Sequence, residues 1–185
     1  MSTATSKESG DAARFRALID AHFAFVWRCV RRFGVPPSDA DDATQEVFVV
    51  AARRLDSLES GREKAFLFAT AMRVASTERR TRRRHPEDPA DTLDTRSAAD
   101  QPNAEELAEL VEARAYLQEI LDGMPVEQSA VFVLAELEET PVREIADILE
   151  LPLGTVSSRL RTAREAFAQG VKRFAAREAF SRRKR

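Results

Sequence analysis

The side chains best suited to chemistry lie in one stretch near the C-terminus, from Thr140 to Glu165, which reads T-P-V-R-E-I-A-D-I-L-E-L-P-L-G-T-V-S-S-R-L-R-T-A-R-E. Its second half places hydroxyls and guanidiniums on one helical face with no carboxylate before Glu165. These residues are Thr155, Ser157, Ser158, Arg159, Arg161, Thr162 and Arg164. Such groups donate hydrogen bonds to base edges and pair with phosphates. The face is therefore a candidate DNA-binding surface, and the alternative is an ordinary solvated helix face.

Two short helices with a tight turn between them would present this face. The first has apolar residues at helical spacing, namely Val142, Ile145, Ala146 and Leu149. Thr140 is a candidate N-cap, and Pro141 suits the first helical position. A second helix starts near Leu153, after a break at Glu150. The pattern predicts a helix-turn-helix, with Glu150 at a turn position where a positive φ is common and Gly is favoured.

Composition and periodicity predict an all-α protein of 185 residues, long enough for two small domains. Cys29 is the only cysteine, so an intrachain disulfide is impossible. No apolar run approaches the roughly 20 residues of a membrane span, so we expect no membrane insertion and a cytoplasmic protein. A P-loop and a Gly-rich dinucleotide turn are both absent, and two His with one Cys are too few for an ordinary zinc site. We expect no enzyme, no metal and no cofactor.

The net charge of −2 conceals a strong segregation of charge along the chain. Residues 73–84 carry six Arg and one Glu, or +5; residues 86–113 carry nine acidic residues and one Arg, or −8; residues 159–185 carry ten basic and two acidic residues, or +8. Five of the Arg lie between Arg79 and Arg84, more than the attraction of cations to a helix C-terminus explains. This distribution favours phosphate contacts by two basic blocks.

These patterns predict two helical domains joined by a flexible, acidic linker. We place a disordered tail at 1–10, an N-terminal helical bundle at 11–85, the linker at 86–104, a four-helix C-terminal domain with the helix-turn-helix at 105–177, and a basic tail at 178–185. Gly34 would end the first helix, and Ser38 would cap the second. His22 lies in an apolar stripe and is interpreted as a core residue. In the second helix one side faces away from the core and is either a solvated face or a docking surface; it comprises Asp42, Gln45, Glu46 and Val49.

Three stretches, in this order, resemble the ECF group of bacterial RNA polymerase sigma factors. D-A-D-D-A-T-Q-E-V-F-V-V-A-A-R-R-L is similar to the family's core-binding helix, and K-A-F-L-F-A-T-A-M-R-V-A to the segment that opens and reads the −10 element. L-D-G-M-P-V-E-Q-S-A-V-F-V-L followed by the helix-turn-helix is similar to the −35-reading domain. The resemblance covers most of residues 11–176.

The resemblance implies a site for each partner. RNA polymerase core would be bound through its β′ clamp and β flap, with Asp42, Gln45, Glu46 and Val49 against the clamp. The helix-turn-helix face would read duplex −35 DNA. The −10 strand would contact the loop at 57–64 and the third helix, through Ser57, Leu58, Arg62, Lys64, Phe66, Arg73, Thr77 and Arg80. An anti-sigma protein would be the regulator. Family members often carry other residues at the positions of Phe66, Arg73, Ser157 and Thr162. Because these side chains would read bases, the resemblance does not specify the promoter sequence.

Two other function classes stay open from sequence alone. A helix-turn-helix regulator would bind duplex DNA as a dimer, independently of polymerase core, and would need another sigma factor to start RNA synthesis. A helical scaffold would hold an acidic partner through its Arg clusters, and its binding would be indifferent to DNA sequence.

Overall fold

The computed structural model describes residues 2–84 and 104–182, and these are helices joined by turns, without a strand among them. The chain divides into two compact units, 1–92 and 93–185. The predicted all-α class with two helical domains is confirmed. The predicted acidic linker at 86–104 lies outside the described residues, except for Ala104, which begins a helix.

In unit 1, residues 2–84 form three helices and one short turn. The helices are α1 (Ser2–Arg32), α2 (Pro37–Arg53) and α3 (Glu63–Arg84), and a 3-10 turn spans Leu55–Ser57. Each helix packs against the other two. Phe68 of α3 lies at the centre, with its ring centroid 6.3 Å from that of Phe25 and 5.6 Å from that of Phe33. Burying a side chain of this size stabilises a fold by about 1.5–3 kcal/mol, so this aromatic cluster ties α1 to α3.

Two predicted boundaries in unit 1 are wrong. Helix α1 begins at Ser2 and includes most of the tail expected to be disordered over 1–10. The segment lacks proline, and extending an existing helix adds a hydrogen bond per residue without a new nucleation cost. Helix α2 begins at Pro37, with Pro36 as N-cap, so Ser38 is not the cap. Proline suits the first helical position because its φ is preset and it has no N–H to leave unpaired.

Unit 2 contains four helices and one π-helical segment. The helices are α4 (Ala104–Asp122), α5 (Val126–Phe132), α6 (Val142–Leu149) and α7 (Leu153–Arg182), and the π-helical segment Val133–Leu137 continues α5. Its core combines Ile145 of α6 with Val156 and Leu160 of α7, all buried. Val126 is 66% exposed, because it is the first residue of α5 and the buried run starts only at Ser129.

Helix α7 continues well beyond the helix-turn-helix because α4 packs along it. The Tyr116 hydroxyl donates to the Gly170 carbonyl, the Tyr116 and Phe174 rings lie 3.8 Å apart by centroid, and Arg177 pairs with Glu119 at 3.0 Å. A Cβ at Gly170 would lie 2.6 Å from Cγ1 of Ile120, so this close approach requires glycine. The basic tail predicted at 178–185 is therefore helical as far as Arg182, and residues 183–185 lie outside the described part.

Candidate nucleic-acid interface

The turn between α6 and α7 is a tight, hydrogen-bonded helix end. Glu150 has φ 53° and ψ 44°, the left-handed conformation expected at this position. Leu151 N–H donates to the Ala146 carbonyl at 2.9 Å, and Glu150 N–H to that of Asp147 at 3.4 Å, which is the Schellman pattern. The Pro152 carbonyl then accepts the first hydrogen bonds of α7. The predicted helix-turn-helix is present, although Pro141 rather than Thr140 is the N-cap of α6.

Over the first three turns of α7, one side is apolar and buried and the other side is polar and accessible. Val156, Leu160 and Ala163 are buried against the rest of unit 2. Four of the predicted DNA-binding residues are exposed, and the other three are half-buried. The exposed set is Ser157, Ser158, Arg161 and Arg164, and the half-buried set is Thr155, Arg159 and Thr162. The structure thus brings the seven predicted residues onto one accessible side of a helix that is fixed by its apolar side.

Two of the four hydroxyls on this surface donate their hydrogens to the helix backbone. Ser157 Oγ lies 3.0 Å from the Leu153 carbonyl, and Thr162 Oγ1 lies 3.2 Å from the Ser158 carbonyl. In this arrangement each hydroxyl oxygen keeps its acceptor capacity. Such an oxygen suits an amino group on a base edge, since a phosphate oxygen can only accept.

The two exposed arginines each have a carboxylate partner. Arg161 Nη1 lies 2.7 Å from Oε1 of Glu165, one turn further along α7. Arg164 donates from Nε at 2.9 Å to Oε1 of Glu136, in the π-helical segment, and its Nη2 lies 2.7 Å from the same oxygen. Exposed pairs of this kind contribute about 0.2–1 kcal/mol. A DNA phosphate or a guanine edge can therefore replace these partners at small cost.

The loop between α2 and α3 forms a second candidate surface, in unit 1. Ser57 and Arg62 are exposed, and Arg62 pairs with Glu59 at 3.5 Å. Lys64 places its Nζ 4.8 Å from the centre of the Phe25 ring, a cation–π distance. Leu58 is only 8% exposed. The side chain of Leu58, which was predicted to contact DNA, is thus not presented on this surface; it anchors the loop in the core.

Helix α3 extends this surface away from the loop. Phe66 is half-buried, and the exposed residues Arg73, Thr77 and Arg80 follow at helical spacing along one side. The nearby Arg cluster is not uniformly available. Arg79 donates to the Phe33 carbonyl at 3.4 Å, and Arg82 pairs with Asp39 at 3.6 Å. Part of the cluster thus holds α3 to the corner between α1 and α2, a structural role that charge counting did not predict.

The exposed side of α2 is a third candidate surface. Asp42, Gln45, Glu46 and Val49 are all exposed, as the helical pattern predicts. The neighbouring side is fixed to α1, because Trp27 Nε1 donates to Asp41 at 2.9 Å and the Phe23 and Phe48 rings stack at 6.2 Å. An acidic and apolar strip on a rigid helix pair suits a partner with basic and apolar side chains.

His22 is half-buried near the start of α3, in keeping with its interpretation as a core residue. Burial lowers the pKa of its imidazole; Glu63 opposes this effect and Lys64 adds to it. The neutral ring is thus favoured, which fits a packing role.

Family models match both units of the chain. The model described as "Sigma-70 region 2" matches residues 18–85, and the model described as "Sigma-70, region 4" matches residues 114–167. The ECF RNA polymerase sigma-E factor of Escherichia coli strain K12 is 30% identical over 174 residues, which cover 89% of this chain and 90% of that protein. The chain belongs to the ECF RNA polymerase sigma factors.

Other ECF comparisons agree in sequence and in fold. The ECF RNA polymerase sigma factor SigE of Mycolicibacterium smegmatis is 32% identical over 168 residues, which cover 88% of this chain but only 65% of that protein. The structure of CnrH in complex with the cytosolic domain of CnrY matches with a TM-score of 0.63 at 24% identity, covering 91% of this chain and 94% of CnrH. The sigma factor RpoE of Bartonella quintana, in complex with the anti-sigma factor NepR, matches with a TM-score of 0.55 at 19% identity, covering 85% and 96%.

The region 2 match decides between the interpretations that sequence reasoning left open. It covers the helices of unit 1, which a DNA-binding regulator acting without polymerase would use for dimerisation or ligand binding. The regulator is therefore not favoured.

Among the described helices of this sigma factor, none is long and apolar enough to cross a membrane. Within residues 2–84 and 104–182, no cluster of three or more His, Cys, Asp or Glu could hold a metal ion.

Two contacts at these sigma-factor surfaces escaped sequence reasoning. Glu136, which pairs with Arg164, stands 28 residues earlier on a different helix. Arg14 of α1 donates to the carbonyls of Leu55 and Leu58, at separations of 41 and 44 residues. Neither residue belongs to a motif, and only the tertiary fold brings the partners together.

Proposed function

We propose that this sigma factor binds RNA polymerase core and directs it to promoters through two separate DNA contacts. Unit 2 reads duplex DNA at the −35 element, and unit 1 captures single-stranded bases at the −10 element. The observation that carries the proposal is that Ser157, Ser158 and Arg161 of α7 are exposed while Val156 and Leu160 are buried, in a helix-turn-helix. Catalysis of RNA synthesis belongs to the polymerase, and the site of action is the cytoplasm.

The −35 contact divides between base edges and backbone. Ser157, Ser158 and Arg161 are exposed and face the bases, with the half-buried Thr155 and Thr162 beside them. Arg159 and Arg164 lie nearer the edges of the surface and pair with phosphates. Arginine can make a bidentate contact to guanine, worth about 1–3 kcal/mol of discrimination. The phosphate pairs add affinity that is independent of sequence and falls with salt.

The −10 contact requires bases that have left the duplex. Single-stranded bases are held by stacking on aromatic or cationic side chains and by hydrogen bonds to their edges. The exposed loop residues Ser57 and Arg62 would contact a flipped base, with Lys64 and the half-buried Phe66 beside it. Arg73, Thr77 and Arg80 form a polar, cationic track along α3 that suits the following phosphates.

The exposed side of α2 would bind the polymerase β′ clamp through Asp42, Gln45, Glu46 and Val49, and unit 2 would contact the β flap. We also propose control by an anti-sigma protein that covers these surfaces. The support is that two fold neighbours were solved as complexes, one of them with an anti-sigma factor.

Reconstituted transcription tests the proposal. Purified protein is added to core polymerase with a genomic DNA library and no other sigma factor, and the RNA 5′ ends define the promoters. We expect specific starts, and we expect Q45A/E46A to abolish them by weakening association with core. Q118A/E119A changes the same two residue types on α4 and serves as the matched control. Starts that require a second sigma factor would support the regulator instead, and undiminished core binding by Q45A/E46A would reject the α2 surface.

A further inference from the structure

The loop between α2 and α3 is fixed to α1 by one arginine. Arg14 Nη1 donates to the Leu55 carbonyl at 3.1 Å, and its Nη2 donates to the Leu58 carbonyl. These two carbonyls lie at the start of the 3-10 turn and at its C-cap. The Leu55 carbonyl also accepts from the Leu58 N–H at 3.3 Å, so Arg14 binds both ends of the same turn. A planar guanidinium with several N–H donors can bind both carbonyls at once.

The same two residues are also anchored through their side chains. Leu55 and Leu58 are each 8% exposed and insert into the core of unit 1. The first half of the loop is thus held from both sides, by apolar packing beneath and by the guanidinium on its backbone. The adjacent Ser57 is exposed, and its Oγ lies 2.9 Å from the Arg54 carbonyl.

The second half of the loop closes on itself. Gly61, with φ 88°, donates its N–H to Oε2 of Glu63 at 2.6 Å. Arg62 N–H donates to the Glu59 carbonyl at 3.1 Å, in addition to the side-chain pair between these residues. The second half of the loop is thus ordered by contacts within itself, and it directly follows the half that Arg14 holds.

From this arrangement we infer that Arg14 is a positioning residue for the −10 loop. The inference rests on the proposed role of the loop in binding −10 DNA. Arg14 does not touch the DNA; it keeps the loop in the binding geometry before DNA arrives. A loop that is already ordered loses less conformational entropy when it binds a base, and a loop that is ordered for only part of the time binds more weakly by that fraction.

The test measures binding of holoenzyme to a fluorescent single-stranded oligonucleotide that carries the −10 sequence of a promoter mapped as above. R14A should weaken this binding about tenfold, the scale expected for loss of charge-assisted hydrogen bonds. R14K, which can donate to one carbonyl at a time, should recover part of the loss. R16A removes the same charge from the exposed residue two positions along α1 and should bind as the parent protein does. Affinity for duplex −35 DNA should be unchanged in all three.

Two further measurements distinguish a positioning role of Arg14 from a general loss of stability of unit 1. They also distinguish it from an incorrect assignment of the loop to −10 DNA. Fluorescence of the single tryptophan, Trp27 in α1, reports unfolding of unit 1. If R14A weakens −10 binding only in proportion to the fraction of protein in which unit 1 is unfolded, the inference is overturned. R62A tests the exposed part of the loop directly. Normal −10 binding by R62A would overturn the proposed loop role, whereas weaker binding by R62A with normal binding by R14A would overturn the positioning role alone.

Discussion

The substitution R161A tests the assignment of the −35 surface most directly. Arg161 lies on the exposed side of α7, and its side chain is 70% exposed. Its one described polar partner is the Glu165 carboxylate at 2.7 Å, one turn along the helix. Removing the side chain leaves no buried charge behind, so the effect on folding should be small and any loss of activity should arise in the complex with DNA.

The size of the effect follows from the two partners that compete for the guanidinium. A bidentate contact to a guanine edge is worth about 1–3 kcal/mol, and the exposed pair with Glu165 that must be given up is worth about 0.3–0.5 kcal/mol. R161A should therefore weaken binding to the specific −35 element by about 0.5–2.5 kcal/mol, or about two- to seventyfold. Binding to unrelated duplex should change much less, because it depends on total charge.

The assay compares holoenzyme binding to the mapped promoter and to the same DNA with a scrambled −35 element, at several salt concentrations. R177A is a matched control, since Arg177 also lies on α7, is 67% exposed and pairs with a glutamate at 3.0 Å, yet faces α4. Equal losses for R161A on both DNAs would limit Arg161 to phosphate contact. Equal losses for R161A and R177A on the promoter would refute the assigned surface.

Stability and affinity measurements test three other contacts. G170A should cost unit 2 about 1–3 kcal/mol, since the new Cβ would lie 2.6 Å from Ile120 Cγ1. In melts that follow the single tyrosine, G170A should cost less in an I120A background, where the clash is removed. Because burial lowers the pKa of His22 from 6.5, the unfolded state binds the proton more tightly. Unit 1 should be most stable above about pH 6.5 and lose stability below it, a slope in tryptophan-monitored melts that H22Q should flatten. E136Q should release Arg164 and raise affinity for duplex DNA of any sequence by up to about fivefold; weaker binding would show that the carboxylate positions the arginine for DNA.

Local patterns predicted the parts of this fold that depend on local physics. Apolar residues at helical spacing identified α2 and α6, and the same period separated the exposed side of α2 from its core side. The left-handed backbone conformation of Glu150 was predicted, because the end of a helix needs a residue with positive φ at this position, whichever side chain it carries. Helix ends were predicted less well at Ser2, Pro37 and Arg182, because a helix continues wherever packing or an existing nucleus supports it.

Contacts between distant segments could not be predicted in this way. Leu58 was assigned to the DNA surface because the family resemblance places its whole loop there, but an isolated leucine in a polar loop can equally be the anchor that fixes the loop to the core. Arg79 and Arg82 were counted with a phosphate-binding cluster, yet each has a partner at the corner of unit 1. Charge and spacing specify what a side chain can bind, and only the tertiary fold specifies which partner reaches it first.

The carboxylates beside the −35 surface have a consequence for promoter selectivity. Arg161 and Arg164 each have an acidic partner, so every DNA complex that uses them must first replace an ion pair or accept a carboxylate near the phosphates. A single phosphate contact on random DNA has a binding free energy only slightly more favourable than that of the ion pair that it replaces. A bidentate contact to the correct base is considerably more favourable in free energy than that ion pair. Glu136 and Glu165 therefore lower the affinity for every DNA whose contacts displace them, and the promoter is bound because its base contact is strong enough to outweigh that cost.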